Sequence, residues 1–217
     1  MGDDPATHGR LGLVDVVAAG HRGDASTARR ALGSVDPRVR EVALGALART
    51  GDLDVATVER ALRDDPDPAV RRRACDLAAS LQPSGPLLDG LLAALGDPDA
   101  LVVEAACWAL GESSSAPVDA LGRTARSHPD ARAREAALAA IGSIGDPRGL
   151  PAVLAALDDR PTVRRRAVVA LAAFDGEEVR AALRRAAADR DWQVREVAEI
   201  LLEEEPDDAE DEEAEPE

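Results

Sequence analysis

A single short pattern is written along this chain again and again, and it constrains the fold more than any other feature. Asp36-Pro37-Arg38-Val39-Arg40, followed by Ala43, Leu44 and Leu47, is its first clear copy. With Val39 as zero, the same slot falls at Val70, Val102, Ala133, Val163 and Val194, at spacings of 31, 32, 31, 30 and 31. Four residues on stands an alanine every time: Ala43, Ala74, Ala106, Ala137, Ala167 and Ala198. Eight residues on are Leu47, Ala78, Leu110, Ile141, Leu171 and Leu202. Position +1 is Arg40, Arg71, Arg134, Arg164 and Arg195, with Val103 the exception, and position −3 is Asp36, Asp67, Asp99, Asp130 and Asp191, with Arg160 the exception. Self-similarity at a fixed period is the mark of a repeat protein.

Apolar or small residues at 0, +4 and +8 make one stripe of an α-helix. The aspartate at −3 suits an N-cap, and proline at −2 (Pro37, Pro68, Pro161) suits the first helical position, where its missing N–H costs nothing. A shorter apolar segment precedes each copy: Ala28 to Leu32, Val55 to Leu62, Leu87 to Leu95, Val118 to Ala125, Leu150 to Leu157 and Val179 to Ala187. Breaks such as Gly51-Asp52, Gly145-Asp146-Pro147 and Asp175-Gly176 separate the pieces. Each unit therefore reads as helix, turn, helix, burying its stripe only against its neighbours. Asp at −3 and Arg at +1 lie one turn apart, so each pair bonds within its helix or reaches the adjacent repeat. This places the arginine column in the structure of the stack.

The D-P-x-V-R-x-x-A-x-x-A-L-G pattern, carried best by Asp36 to Ala43 and next by Asp67 to Arg71, resembles HEAT repeats of the short kind found in proteins similar to phycobilisome lyases. The resemblance covers roughly residues 24 to 202. It implies an all-α, right-handed α-solenoid of about six helix-turn-helix repeats with a period of about 31. The domain reading is a flexible N-terminus over 1–10, a solenoid over 11–202 that opens with a capping helix, and an acidic, disordered tail over 203–217.

Charge is unevenly spread. The formal net charge is −16, but residues 203–217 hold 11 acids and no base, leaving an ordinary −5 for residues 1–202. The tail reads as a solubilising end that also caps the last repeat, or as a pseudo-ligand that folds back on basic residues of the concave face implied by the resemblance. Lysine, asparagine and tyrosine are absent, which points to a GC-rich prokaryote and makes arginine-only basicity a weak sign of nucleic-acid binding. A pI of about 4.6 also fits a halophilic source. The acidic start and the lack of a long apolar stretch predict a cytoplasmic protein without a membrane span.

The sequence holds no catalytic constellation, no metal set and no cofactor motif. Deoxyhypusine hydroxylase, an enzyme of the HEAT-like class, is known for His-Glu dipeptides that hold di-iron; here the dipeptides are His8-Gly9, His21-Arg22 and His128-Pro129. Cys75 and Cys107 share slot +5 in consecutive repeats, on helices expected about 8–10 Å apart, beyond disulfide reach, and read as buried free thiols. Ser113-Ser114-Ser115 reads as a loop, and an aromatic content of 1% leaves little to line a chromophore cleft.

What remains is surface. The resemblance implies that the second helices line a concave face, so slots +2, +3 and +6 carry the candidate partner-binding residues: Arg72, Arg73, Asp76, Glu104, Trp108, Glu135, Arg165, Arg166 and Val169. Trp108 either anchors a partner or fills a gap between alanine-thin helices, and Trp192 in the proline slot reads as a local packing residue. The function expected is a non-enzymatic scaffold, monomeric, binding another protein or peptide. The alternatives are nucleic-acid binding along the arginines, or an oxidoreductase or phycobilin-lyase-like maturation factor by family analogy alone.

Overall fold

The structure, a computed structural model, describes residues 11–113 and 117–204. Most of the two predicted end segments, 1–10 and 203–217, and Ser114 and Ser115 of the serine run lie outside these residues. Thirteen α-helices make up the described part, without a strand: α1 (Leu13–Arg22), α2 (Ala25–Ala31), α3 (Pro37–Thr50), α4 (Val55–Asp64), α5 (Pro68–Ala78), α6 (Gly85–Ala94), α7 (Ala100–Gly111), α8 (Val118–Ser127), α9 (Ala131–Ile144), α10 (Leu150–Ala156), α11 (Pro161–Leu171), α12 (Glu177–Ala186) and α13 (Trp192–Glu204). The six repeat pairs run from α2 and α3 to α12 and α13, with α1 as an extra helix in front. The all-α repeat architecture read from the sequence is the one observed.

The chain divides into two compact units, Met1–Ala120 and Leu121–Glu217. In the first, the second helices pack in series, α1 on α3, α3 on α5 and α5 on α7, with α4 and α6 layered against α5 and α7. In the second, α9 packs on α11 and α11 on α13, with α10 and α12 behind them. The stripe at 0, +4 and +8 is the core of both: Val39, Val70, Val102, Ala133, Val163 and Val194 are all buried, as is every alanine at +4.

The −3 aspartates cap as expected. Their carboxylates accept from the backbone N–H two residues on, at 2.9 Å from Arg38, 2.9 Å from Ala69, 2.8 Å from Leu101, 2.8 Å from Arg132 and 3.0 Å from Gln193. They do not, however, pair with the +1 arginines. Four of those arginines reach an aspartate in the turn of the next repeat instead, through two parallel N–H···O bonds. Arg40 holds Asp65 at 2.8 and 2.7 Å, Arg71 holds Asp97 at 2.7 and 2.9 Å, Arg134 holds Asp159 at 2.7 and 2.8 Å, and Arg164 holds Asp189 at 2.8 and 2.7 Å. The remaining Nη1 donates back to carbonyls of the arginine's own turn, Ser34 and Val35 for Arg40, Asp65 and Pro66 for Arg71. One guanidinium thus ties its own turn to the next.

Burial pushes the Asp65 and Asp97 carboxyls up, but the guanidinium and a backbone N–H outweigh it and hold both below the usual carboxylate range. The Arg134 and Arg164 hydrogen bonds do the same for Asp159 and Asp189. A folded-state pKa below the unfolded value, about 3.9, means that this stabilisation is whole above that pH. It is lost as the pH falls through the lower folded values.

Arg71→Leu is therefore expected to cost about 3 kcal/mol in a urea titration, since it strands the Asp97 carboxylate in a site only 9% exposed. Arg71→Leu combined with Asp97→Asn should cost clearly less. In an acid titration, Asp65→Asn with Asp97→Asn should flatten the loss of stability below about pH 4.

Candidate functional site: the second-helix faces

Rotation by about 100° per residue turns slots +2, +3 and +6 away from the rungs and the core. The nine candidates divide between the units. Arg72, Arg73 and Asp76 on α5 stand beside Glu104 and Trp108 on α7, while Glu135 on α9 stands beside Arg165, Arg166 and Val169 on α11.

In the first unit Trp108 is 53% exposed. It does not fill a gap between helices; its neighbours Cys107 and Ala109 take the buried positions instead. Asp76, at the same slot one repeat earlier, makes no ion pair or hydrogen bond among the described residues. Burial raises its carboxyl, against the opposing pull of Arg73 and Arg72. Arg73 lies back across α3, where a Cβ added to Gly45 would stand 3.0 Å from its Nη2. The glycine at +6 of the first repeat makes room for this guanidinium.

The second unit has a different surface. Gly142 brings α9 and α11 close, since a Cβ there would meet the Ala170 Cα at 3.1 Å. Beside this contact runs a groove of about 340 Å³ whose lining includes Ala139, Gly142, Ser143, Arg166, Val169 and Ala170. Val169 is 44% exposed, and Ile200 takes the same exposed slot on α13. Glu135 accepts from the Thr162 hydroxyl at 2.6 Å.

The arginines thus fall into two sets. Those at +1 that face a following turn are tied up in rungs, Arg164 being almost wholly buried. Arg72, Arg73, Arg165 and Arg166 make no ion pair among the described residues. Trp192, expected as a packing residue, is 60% exposed at the start of α13.

A second and larger groove, about 500 Å³, lies in the first unit between first helices and the turns. The repeat register gave no signal for it. Its charged walls are largely satisfied already, Arg40 by Asp65 and Arg29 by Asp52 and Asp54.

The titratable groups are dispersed. His21 is exposed on α1 and His128 lies in the turn before α9; among the described residues no three His, Cys, Asp or Glu side chains are grouped to hold a metal. Cys75 and Cys107 are free and buried, and burial pushes both thiols up to about 12.

Comparison with known proteins agrees with this architecture. A HEAT repeat family model matches residues 55–123 and 118–203. The chain belongs to the HEAT repeat family. A search of curated proteins finds no match. Among solved structures it is similar to YibA of Escherichia coli, at 18% identity and a TM-score of 0.62, covering 93% of this chain and 77% of that one. It is also similar to a designed armadillo repeat protein in complex with the peptide (KR)4, at 18% identity and a TM-score of 0.54, covering 88% and 98%. Human deoxyhypusine hydroxylase, in a complex with glycerol, matches at 22% identity and a TM-score of 0.51, covering 76% and 68%. No helix among the described residues is long and apolar enough to cross a membrane.

A disulfide-exchange reagent at neutral pH is expected to leave both thiols of the folded protein unmodified and to titrate both after denaturation, because only the thiolate reacts. Rapid reaction of either thiol in the native protein would contradict the burial described.

Proposed function

We propose that this protein is a non-enzymatic cytoplasmic interaction module that binds another protein or a peptide on the faces of its second helices. The observation that carries this reading is the contrast between the two arginine sets. Arg72, Arg73, Arg165 and Arg166, which make no ion pair among the described residues, lie at slots +2 and +3 of second helices that also carry the exposed side chains of Trp108 and Val169 at slot +6. A purely architectural stack has no use for them, whereas tryptophan and arginine are the usual anchors of protein interfaces. The fold is one commonly used for protein binding, and one structural neighbour was solved with a peptide bound.

Charge of both signs on these faces favours a protein partner. Asp76 and Glu104 stand beside Arg72 and Arg73, and Glu135 beside Arg165, where a polyanion would call for a continuous basic stripe.

The test compares affinity co-purification by wild type, by Trp108→Ala with Arg72→Glu, and by Arg165→Glu with Val169→Ala, each first checked for helicity. A partner recovered in near-stoichiometric amount with wild type should be reduced at least about tenfold with one of the paired variants, the loss expected for about 1.4 kcal/mol. The same recovery with all three proteins would rule out these faces. Recovery of nucleic acid alone, with affinity falling steeply in salt, would replace the protein-binding reading.

A further inference from the structure

We propose that the groove between α9 and α11 seats an acidic segment of this same chain, residues 205–217, with Arg166 as its anchor. The inference goes beyond partner binding and does not need it, since the contact is internal to the chain.

Arg166 makes no ion pair among the described residues, and the positions nearest to it in the helix register hold no acid. Along its own helix, positions three and four residues away are Val163, Val169, Thr162 and Ala170, none of them acidic. Slot +3 on the two helices packed against α11 is Ala136 on α9 and Val197 on α13. Its counterpart Arg73 differs on this point, with Asp76 three residues on along α5. Arg165 differs as well, flanked at slot +2 by Glu135 and Glu196. Arg166 lines a groove whose other lining residues are alanines, Gly142, Ser143 and Val169, so the site offers one positive charge among small and apolar side chains.

Residues 205–217 supply that chemistry. They hold nine acids, two alanines, two prolines and no base. The alanines suit a lining of small side chains, and any of several carboxylates can meet the guanidinium in a two-pronged pair. The segment starts directly after α13, which packs on α11. Extended, 13 residues span about 40 Å, whereas the groove lies within about two helix spacings, roughly 20 Å. A tether this short makes the local concentration of carboxylate about millimolar, so a weak contact is populated. Being partly exposed and electrostatic, it is sensitive to salt.

The experiment places a nitroxide on the full-length protein through Asp211→Cys and reads backbone amide intensities by NMR. Burial of Cys75 and Cys107 directs the label to the introduced thiol at neutral pH. Ser143, Val169 and Ala173 are expected to lose most of their intensity, while Ala155 on α10 and Ala181 on α12 keep theirs. The effect should vanish in 1 M salt, where the screening length is about 3 Å, and in Arg166→Glu or the gentler Arg166→Gln. Equal broadening on both sets of helices, no broadening, or broadening unchanged by salt and by both variants would overturn the proposal. Broadening that fades on dilution would overturn it too, because it would assign the contact to a second copy. Loss of a partner in co-purification bears on the module reading alone and leaves this result unaffected.

Discussion

The rung between a +1 arginine and an aspartate in the following turn is the interaction on which the repeat-to-repeat geometry depends. Apolar stripes attract neighbouring helices but do not fix their register, because alanine and valine slide past one another at little cost. A guanidinium with two N–H groups on one carboxylate and a third on its own turn is directional, and it sits where water competes weakly. The aspartate is fixed from its other side as well. The Asp67 N–H donates to Asp65 at 3.0 Å, the Asp99 N–H to Asp97 at 2.9 Å and the Asp191 N–H to Asp189 at 2.8 Å. Each rung therefore couples the cap of one second helix to the body of the one before it.

The chain itself ranks rung against cap. With the spacing of 30, the rung aspartate stands four residues before slot zero at Asp159, against five at Asp65, Asp97 and Asp189, and there Arg160 replaces the capping aspartate. Asp159 nevertheless remains, bound to Arg134, and also accepts from the Arg160 N–H at 2.7 Å. Where the capping aspartate is lost, the rung aspartate is kept. The slot five residues before zero follows the same logic. It is aspartate at Asp65, Asp97 and Asp189, each bound to an arginine one repeat earlier. It is Ser34 in the first repeat and His128 in the fourth, and in both cases the arginine is missing too. Val17 follows the buried Val16 of α1, and Val103 follows Val102 of α7. Ser34 and His128 keep the local half of the task, the Ser34 hydroxyl accepting from the Asp36 N–H at 3.2 Å and His128 Nδ1 from the Asp130 N–H at 3.1 Å.

This coupling explains how much was legible in the sequence. Slots 0, +4 and +8 were readable because helical periodicity alone decides what is buried, and the −3 caps because a cap acts on its own helix. The structural part of the arginine column was readable too, but its partner was not. In the turns before α5, α7 and α13 two acids lie two residues apart, and spacing along one helix favours the −3 residue, whereas the stacking of repeats brings the other within reach. For Trp108 the sequence left two roles open, and for Trp192 it favoured packing, whereas both are exposed. Large aromatics usually fill space, yet slot +6 and the first residue of α13 lie at the edge of the stripe, where only the separation of neighbouring helices decides exposure. At α7 the buried positions on either side are taken by Ala106, Cys107 and Ala109, and Trp108 stays outside them.

The same geometry separates architecture from candidate function within a single tripeptide. Arg71-Arg72-Arg73 and Arg164-Arg165-Arg166 each place one arginine toward the next turn and two away from it, because consecutive residues on a helix are about 100° apart. The first of each three is committed to a rung, and moving it would strand a carboxylate. The other two carry no such duty. Composition cannot tell these roles apart, since all are arginines in a chain that has no lysine. Only the repeat register, read together with the rung it builds, separates the guanidinium groups tied into rungs from those that make no ion pair among the described residues.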